Sequence, residues 1–251
     1  MIELERLTKR YGVFTAVDDL SLEVSRGEIF GFLGPNGAGK TTTIRMMMGL
    51  LLPTVGRIRL GGYDLAAQPI EAKRLAGFVP DRPFLYEKLT AVELLRFCGD
   101  LYEVDPSARE ERIHKLLALF DLGEWAGELI ESFSHGMKQR LAFAAALLHE
   151  PRLLVVDEPM VGMDPRGARV LRSLLRSLAL KGTTLFLSTH SLEVAEALCD
   201  RIGIIQSGRL IAVGTLDELR LRAGDARGLE EIFLKLTGAE DVRDAIQALR
   251  A

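Results

Sequence analysis

The chain has 251 residues, 48% of them hydrophobic and 27% charged, with a formal net charge of −3. That balance suits a soluble, core-forming domain, or one large domain with inserted subdomains. It excludes the strong positive field of a general nucleic-acid binder, and no apolar run approaches the roughly 18 residues of a membrane span.

The start, "MIELERLTKRYG", lacks the apolar core of a signal peptide. From Ile2 to Val24, apolar and polar residues alternate in places, the pattern of half-buried antiparallel strands. "SRGE" reads as a turn, and "IFGFL", Ile29 to Leu33, as a strand buried on both faces. A glycine-rich loop and a helix through "TTIRMMMGLL" follow. "GRIRLGGYDL" and "AGFVP" read as short strands. The stretch from about Phe84 to Glu150 turns helical: Thr90 and Glu93 have capping-box spacing, and Asp105–Pro106 opens another helix. "LLVV", "TLFLST" and "IGII" are then strands separated by helices, which argues for a mostly parallel sheet. "QSGR" turns into "LIAVG", Thr215 and Glu218 form a second capping box, and the chain is helical again from Leu229. Cys98 and Cys199 read as reduced thiols of a cytosolic protein, although two cysteines also permit one bridge.

"GPNGAGKT", Gly34 to Thr41, fits the phosphate-loop pattern without a gap, after a strand and before a helix. Gly34, Gly37 and Gly39 let the backbone wrap closely around phosphate, with Pro35, Asn36 and Ala38 between them, and the loop N–H groups point inward. The helix N-terminus adds positive potential. Lys40 reaches β- and γ-phosphates, Thr41 is placed for Mg²⁺, and Thr42 for a phosphate further back. "LLVVDEP" sets Asp157 and Glu158 at a strand's C-terminal end, where doubly wound sheets put their ligands. Asp157 suits Mg²⁺; Glu158 suits orienting or deprotonating water. His190 closes "TLFLSTH" and arrives on the same rim. By residue type alone it is either a satisfied polar residue or a group for the γ-phosphate or Glu158. The four histidines have no recognised zinc spacing.

Together these residues resemble the ATP-binding cassette (ABC) ATPases, the ATPase subunits of ABC transporters, from "KRYG" to at least "GTLDEL". The resemblance implies an α/β P-loop NTPase fold: a mostly parallel core sheet, an antiparallel β subdomain and an inserted helical subdomain. It implies an ATPase domain over 1–222, with the helical subdomain at about 84–150, and a short helical tail at 223–251. "SHGMKQR" stands where that family carries Leu-Ser-Gly-Gly-Gln, with Ser134 and Gly136 matching and His135 and Met137 departing. Locally, Ser134 also reads as an ordinary N-cap. The resemblance gives Ser134 and Gly136 the γ-phosphate of ATP held by a second subunit, so that two chains, head to tail, sandwich two ATP. It places Tyr11 on adenine, though a surface tyrosine at a turn looks the same. It makes Val161–Asp164 a dimer-crossing loop. Asp81 stands where the family usually has Gln beside Mg²⁺; a carboxylate still ligates the ion but cannot donate to the attacking water.

The resemblance thus implies an enzyme that converts ATP and water to ADP and phosphate, with Mg²⁺, Glu158 as base, and His190 and Lys40 assisting. Its partners are a second cassette, identical or not, and an integral membrane permease that holds it on the cytoplasmic face; no direct nucleic-acid contact is expected. The signature variant and "GTLDEL" lean toward export. The alternative is a soluble non-transport ABC ATPase acting as an assembly switch or a nucleic-acid- or ribosome-associated one.

Overall fold

The computed structural model describes residues 1–160, 165–224 and 228–238, apart from the side chains of residues 165 and 166. The segments 161–164, 225–227 and 239–251 lie outside the described residues. The chain folds as α/β, with one antiparallel and one mostly parallel sheet. The first sheet has the order β2-β1-β4-β5, from β1 (Ile2–Tyr11), β2 (Phe14–Val24), β4 (Val55–Leu60) and β5 (Tyr63–Asp64). The second has the order β10-β9-β3-β8-β7-β6. Its strands are β3 (Ile29–Leu33), β6 (Ala76–Val79), β7 (Leu153–Asp157), β8 (Thr184–Thr189), β9 (Arg201–Gln206) and β10 (Arg209–Gly214). Only β10 runs antiparallel to its neighbour.

The central strands are apolar on both faces because both faces are covered. Their residues divide by the two-residue period of a strand. Phe30, Phe32, Val155 and Phe186 face the antiparallel sheet and α1 (Lys40–Met47), whose Ile44, Met46 and Met47 fill the gap between the layers. Phe186 lies between Phe30 and Phe32, with ring centroids 5.7 and 5.4 Å away. Ile29, Leu154, Val156, Leu185 and Leu187 face the opposite way. There they meet α3 (Ala91–Leu101), α5 (His135–Leu147) and α6 (Pro165–Leu180), and α4 (Pro106–Leu119) joins the same core. Beyond them α7 (Leu192–Leu198), α8 (Leu216–Arg222) and α9 (Leu229–Thr237) bury Leu33, Ile202 and Ile204.

Both capping boxes form: Thr90 and Glu93 open α3, and Thr215 and Glu218 open α8. Asp105 caps α4 ahead of Pro106. α5 is packed nearly all round by its small residues and by Phe143, which stacks on Phe120 at 6.0 Å. One helix escapes the sequence pattern, α2 (Pro69–Arg74), because only Ala72 in it is buried. Both cysteines are free, and burial pushes the Cys199 thiol up to about 12, so it behaves as an inert core group. Among the described residues no helix is long and apolar enough to cross a membrane.

At the end of α5, His149 stacks flat on Tyr102, with ring centroids 3.8 Å apart. Burial pushes its pKa down to about 4, and the Arg112 guanidinium adds to that. The unfolded chain therefore binds this proton at higher pH than the folded one. The associated stability, up to about 3 kcal/mol, is present above about pH 6.5 and lost as pH falls toward 4. His149→Phe keeps the stack and removes the titration. Urea midpoints at pH 7 and pH 5 should converge in that variant; an unchanged pH slope would place the acid sensitivity elsewhere.

Candidate active site

The C-terminal ends of four adjacent parallel strands form one rim. Leu33 of β3 pairs with Thr189 of β8, Asp157 of β7 with Ser188 of β8, and Val79 of β6 with Val156 of β7. The loop 34–39, Glu158, His190 and Asp81 each follow one of these ends, so residues distant in sequence arrive side by side.

The loop between β3 and α1 closes only with glycine at two places. Gly39, the N-cap of α1, has φ 108°, and a Cβ there would lie 2.6 Å from the Ala16 carbonyl oxygen. Gly34 would put a Cβ 2.4 Å from the Ile205 carbonyl oxygen. β2 and β9 therefore grip the loop from both sides. Lys40 is 7% exposed, and its Nζ donates to the carbonyls of Gly34 at 2.7 Å and Pro35 at 3.2 Å. Burial holds this ammonium below the ordinary lysine pKa, while Glu158 and Asp157 pull it back up. Thr41 donates its hydroxyl to Asp157 Oδ2 at 3.2 Å. Asp157 is buried, which raises its pKa; the charges of Glu158 and Asp81 push the same way.

Glu158 adopts φ 54°, unusual for a residue with a side chain. Its backbone N–H donates to the Ser188 carbonyl at 2.8 Å. One carboxylate oxygen lies 2.8 Å from His190 Nδ1, and the other accepts from the Thr189 hydroxyl at 3.2 Å. The His190 ring is 59% exposed, whereas Glu158 is 14% exposed.

Asn36, Gly37, Ala38, Gly39, Lys40, Thr41, Thr42, Asp81, Asp157 and Glu158 share one cleft of about 350 Å³. Its remaining wall is Phe14 and Ala16 of β2. Phe14 was not legible in the sequence as a site residue; it faces the loop only because the β1–β2 hairpin folds over it. Tyr11 pairs with Phe14 in that hairpin but does not line the cleft; Lys9 sits over its ring at 5.2 Å. Gly34 and Pro35 take part through their carbonyls on Lys40. Ser134 and Gly136 lie apart from the cleft lining, at the start of α5. Ser134 is exposed and accepts from the Met137 N–H at 3.3 Å, so the local N-cap does form. The segment Val161–Asp164 lies outside the described residues.

The cleft has the donors of a magnesium site. Among the described residues no group of three or more His, Cys, Asp or Glu side chains could hold a metal alone. Instead a hydroxyl, Thr41, stands beside carboxylates in a phosphate-sized cleft. Mg²⁺ is bound in this way, through one or two carboxylates completed by phosphate and water.

A second concavity of about 690 Å³ adjoins the first and shares Thr41, Asp81 and Asp157 with it. It is otherwise lined largely by apolar side chains, among them Leu50, Pro83, Phe84, Cys98 and Ala142. Phe84 at its lip is 92% exposed.

Residues 17–161 match the family model described as ABC transporter. The chain is 41% identical to the linearmycin resistance ATP-binding protein of Bacillus subtilis, over 93% of this chain and 78% of that protein. Further relatives are named for daunorubicin resistance, bacitracin transport and Nod factor export. Among solved structures, the ATP-binding subunit of an ABC transporter superposes with a TM-score of 0.90, at 37% identity over 94% of this chain and 99% of that one. An ATP-binding cassette in a dimeric post-hydrolysis state, bound to ADP and Pi, superposes with a TM-score of 0.80, at 25% identity over 86% and 98%. Sequence, fold and cleft therefore converge, and the chain belongs to the ABC transporter family of ATP-binding cassettes.

Proposed function

We propose that this chain is the ATP-hydrolysing subunit of an export-type ABC transporter, working as a head-to-tail dimer on a separate membrane permease. The observation that carries the reading is a mismatch of place. The cleft gathers the loop, Lys40, Thr41, Asp157 and Glu158, while the exposed Ser134–Gly136 helix start is outside it. Ser134 Oγ accepts from the Met137 amide, which leaves the O–H to donate. A second copy, placed head to tail, would bring that donor and its helix N-terminus to the open side of the cleft.

In the proposed reaction the loop N–H groups, the α1 N-terminus and the Lys40 ammonium bind the β- and γ-phosphates. Tyr11 and Phe14 supply aromatic faces for the base. Thr41, Asp157 and Asp81 would hold Mg²⁺, which neutralises charge on the phosphate oxygens when bound. Glu158 takes a proton from the water that attacks the γ-phosphorus, as the bond to the bridging oxygen of ADP breaks. His190 holds Glu158 through Nδ1. Ser134 and Gly136 of the partner copy, with Lys40, stabilise charge on the transferring group.

The helices at about 84–150 form the inserted subdomain of a 1–222 ATPase domain, and 223–251 its tail. The apolar concavity under Phe84 is where the permease docks; an exposed apolar surface beside shared polar walls fits such a contact. Drug-resistance and export names among the relatives support the export direction.

Three outcomes test this reading. Glu158→Gln should lower Mg²⁺-dependent phosphate release by about 10²–10⁴-fold and leave an ATP-bound dimer on gel filtration; rapid turnover in that variant, or none in the wild-type complex, refutes it. Lys40→Ala and Ser134→Arg should each be inactive, yet mixing them should restore part of the turnover. In the mixed dimer one cleft keeps its lysine and receives an intact serine; absence of rescue would place both groups in the same site of one chain. Phe84→Asp should reduce copurification with the membrane subunit, and unchanged recovery would move the docking surface elsewhere.

A further inference from the structure

Glu158 has two hydrogen-bonding partners on its carboxylate, and they differ in kind. His190, on Oε1, is largely exposed. Thr189, on Oε2, is the last residue of β8 and 2% exposed. A β-branched side chain in a buried strand has few rotamers, so this hydroxyl is fixed by its backbone.

The direction of its proton is also fixed. Thr189 Oγ1 accepts from the backbone N–H of Ser191 at 3.0 Å, which occupies one lone pair. An ionised carboxylate only accepts, so the Thr189 proton points at Glu158 Oε2. Ser191 is itself anchored as the N-cap of α7, accepting from the Val194 N–H at 3.4 Å. The chain of contacts thus runs from the start of α7, through Ser191 and Thr189, to one oxygen of Glu158. At its other end the Glu158 backbone is held at φ 54° by the bond to the Ser188 carbonyl. Both the backbone and one oxygen of this carboxylate are therefore tied to β8, whereas the partner of Oε1 is a solvent-facing ring.

We propose that Thr189 is a positioning residue for ATP hydrolysis: its buried hydroxyl locks Oε2 of Glu158 so that Oε1 is the oxygen presented to the attacking water. The inference rests on the reading of Glu158 as the base. It assigns the two oxygens different tasks. A carboxylate free to rotate would offer either oxygen and spend much of its time misaligned, and misplacement of about 1 Å reduces rates by about 10²-fold.

Steady-state ATP turnover of the full chain with its membrane partner tests the idea. Thr189→Val is close to isosteric and removes only the hydroxyl. Its kcat should fall by about 10–10²-fold with the KM for ATP within about two-fold of wild type. Thr189→Ser should recover most of the loss, because it restores the proton and the acceptor. In a Glu158→Gln background, Thr189→Val should cause no further fall, since the carboxylate that it positions is gone. A Thr189→Val kcat within two-fold of wild type overturns the proposal. So does an equal fall in the presence and absence of Glu158, which marks a structural role. Should the valine variant fail to fold, Thr189→Ala is judged by the same criteria. If Glu158→Gln alone keeps wild-type turnover, the fault lies with the base assignment rather than with Thr189.

Discussion

The side-by-side register of β3, β8, β7 and β6 is the constraint on which everything else in the molecule depends. Leu33 sits opposite Thr189, Ser188 opposite Asp157, and Val156 opposite Val79. The first, third and fourth of these strands each end in a loop that carries one part of the cleft, and β8 ends in Thr189 with His190 directly after it. A slip of one residue in any pairing would turn a strand's apolar set to the wrong face and swing its terminal residue away from the rim. The register is secured by large side chains on both faces, with Phe186 wedged between Phe30 and Phe32 on one side and Leu154, Leu185 and Leu187 on the other. The hydrophobic core is therefore what sets the distances in the polar site.

That site concentrates charge where water is scarce. Lys40 and Asp157 are both buried, and burial works against both, lowering the pKa of the lysine and raising that of the aspartate. Three carboxylates, Asp81, Asp157 and Glu158, share the cleft wall with a single lysine. Such an arrangement favours a cation among the carboxylates and an anion over the lysine and the glycine loop at the same time. A phosphate chain accompanied by a divalent ion is a ligand that satisfies both demands. Asp81 increases the negative side of the balance relative to an amide at the same place, and it removes a donor.

Much of this was readable from the chain alone, because the features concerned are local. A glycine loop followed by lysine and threonine, two carboxylates ending an apolar strand, and Thr-x-x-Glu caps are all set by spacing, and each element forms where the spacing predicts. What remained hidden depends on tertiary contacts. Phe14 lines the cleft because a hairpin distant from the strand ends folds over the loop. Thr189 meets Glu158 only across two paired strands. Helix α2 buries one residue and so leaves no periodic trace. Tyr11, placed on the base by resemblance, pairs with Phe14 across the turn and stands just beyond the lining.

The two concavities have a common wall, and the chain connects that wall to α5. Gln139 of α5 reaches the Pro80 carbonyl at 3.4 Å, next to Asp81. Lys138 of α5 pairs with Glu87 at 2.5 Å, and Lys88 pairs with Glu131, just ahead of Ser134, at 2.5 Å. The Glu131 amide also donates to the Glu87 carbonyl, and the Ile130 amide to that of Leu89. Exposed ion pairs of this type contribute little to stability. Their value here is geometric, because together with the backbone bonds they tie the segment 87–89 to the approach to α5. Phe84 and its neighbours are thereby joined in two directions: along the chain to Asp81 at the cleft wall, and through residues 87–89 to the segment just ahead of Ser134. On the function proposed above, docking at the apolar groove would bear on both halves of the composite site, because the groove shares Thr41, Asp81 and Asp157 with the cleft and is tied to the approach to α5.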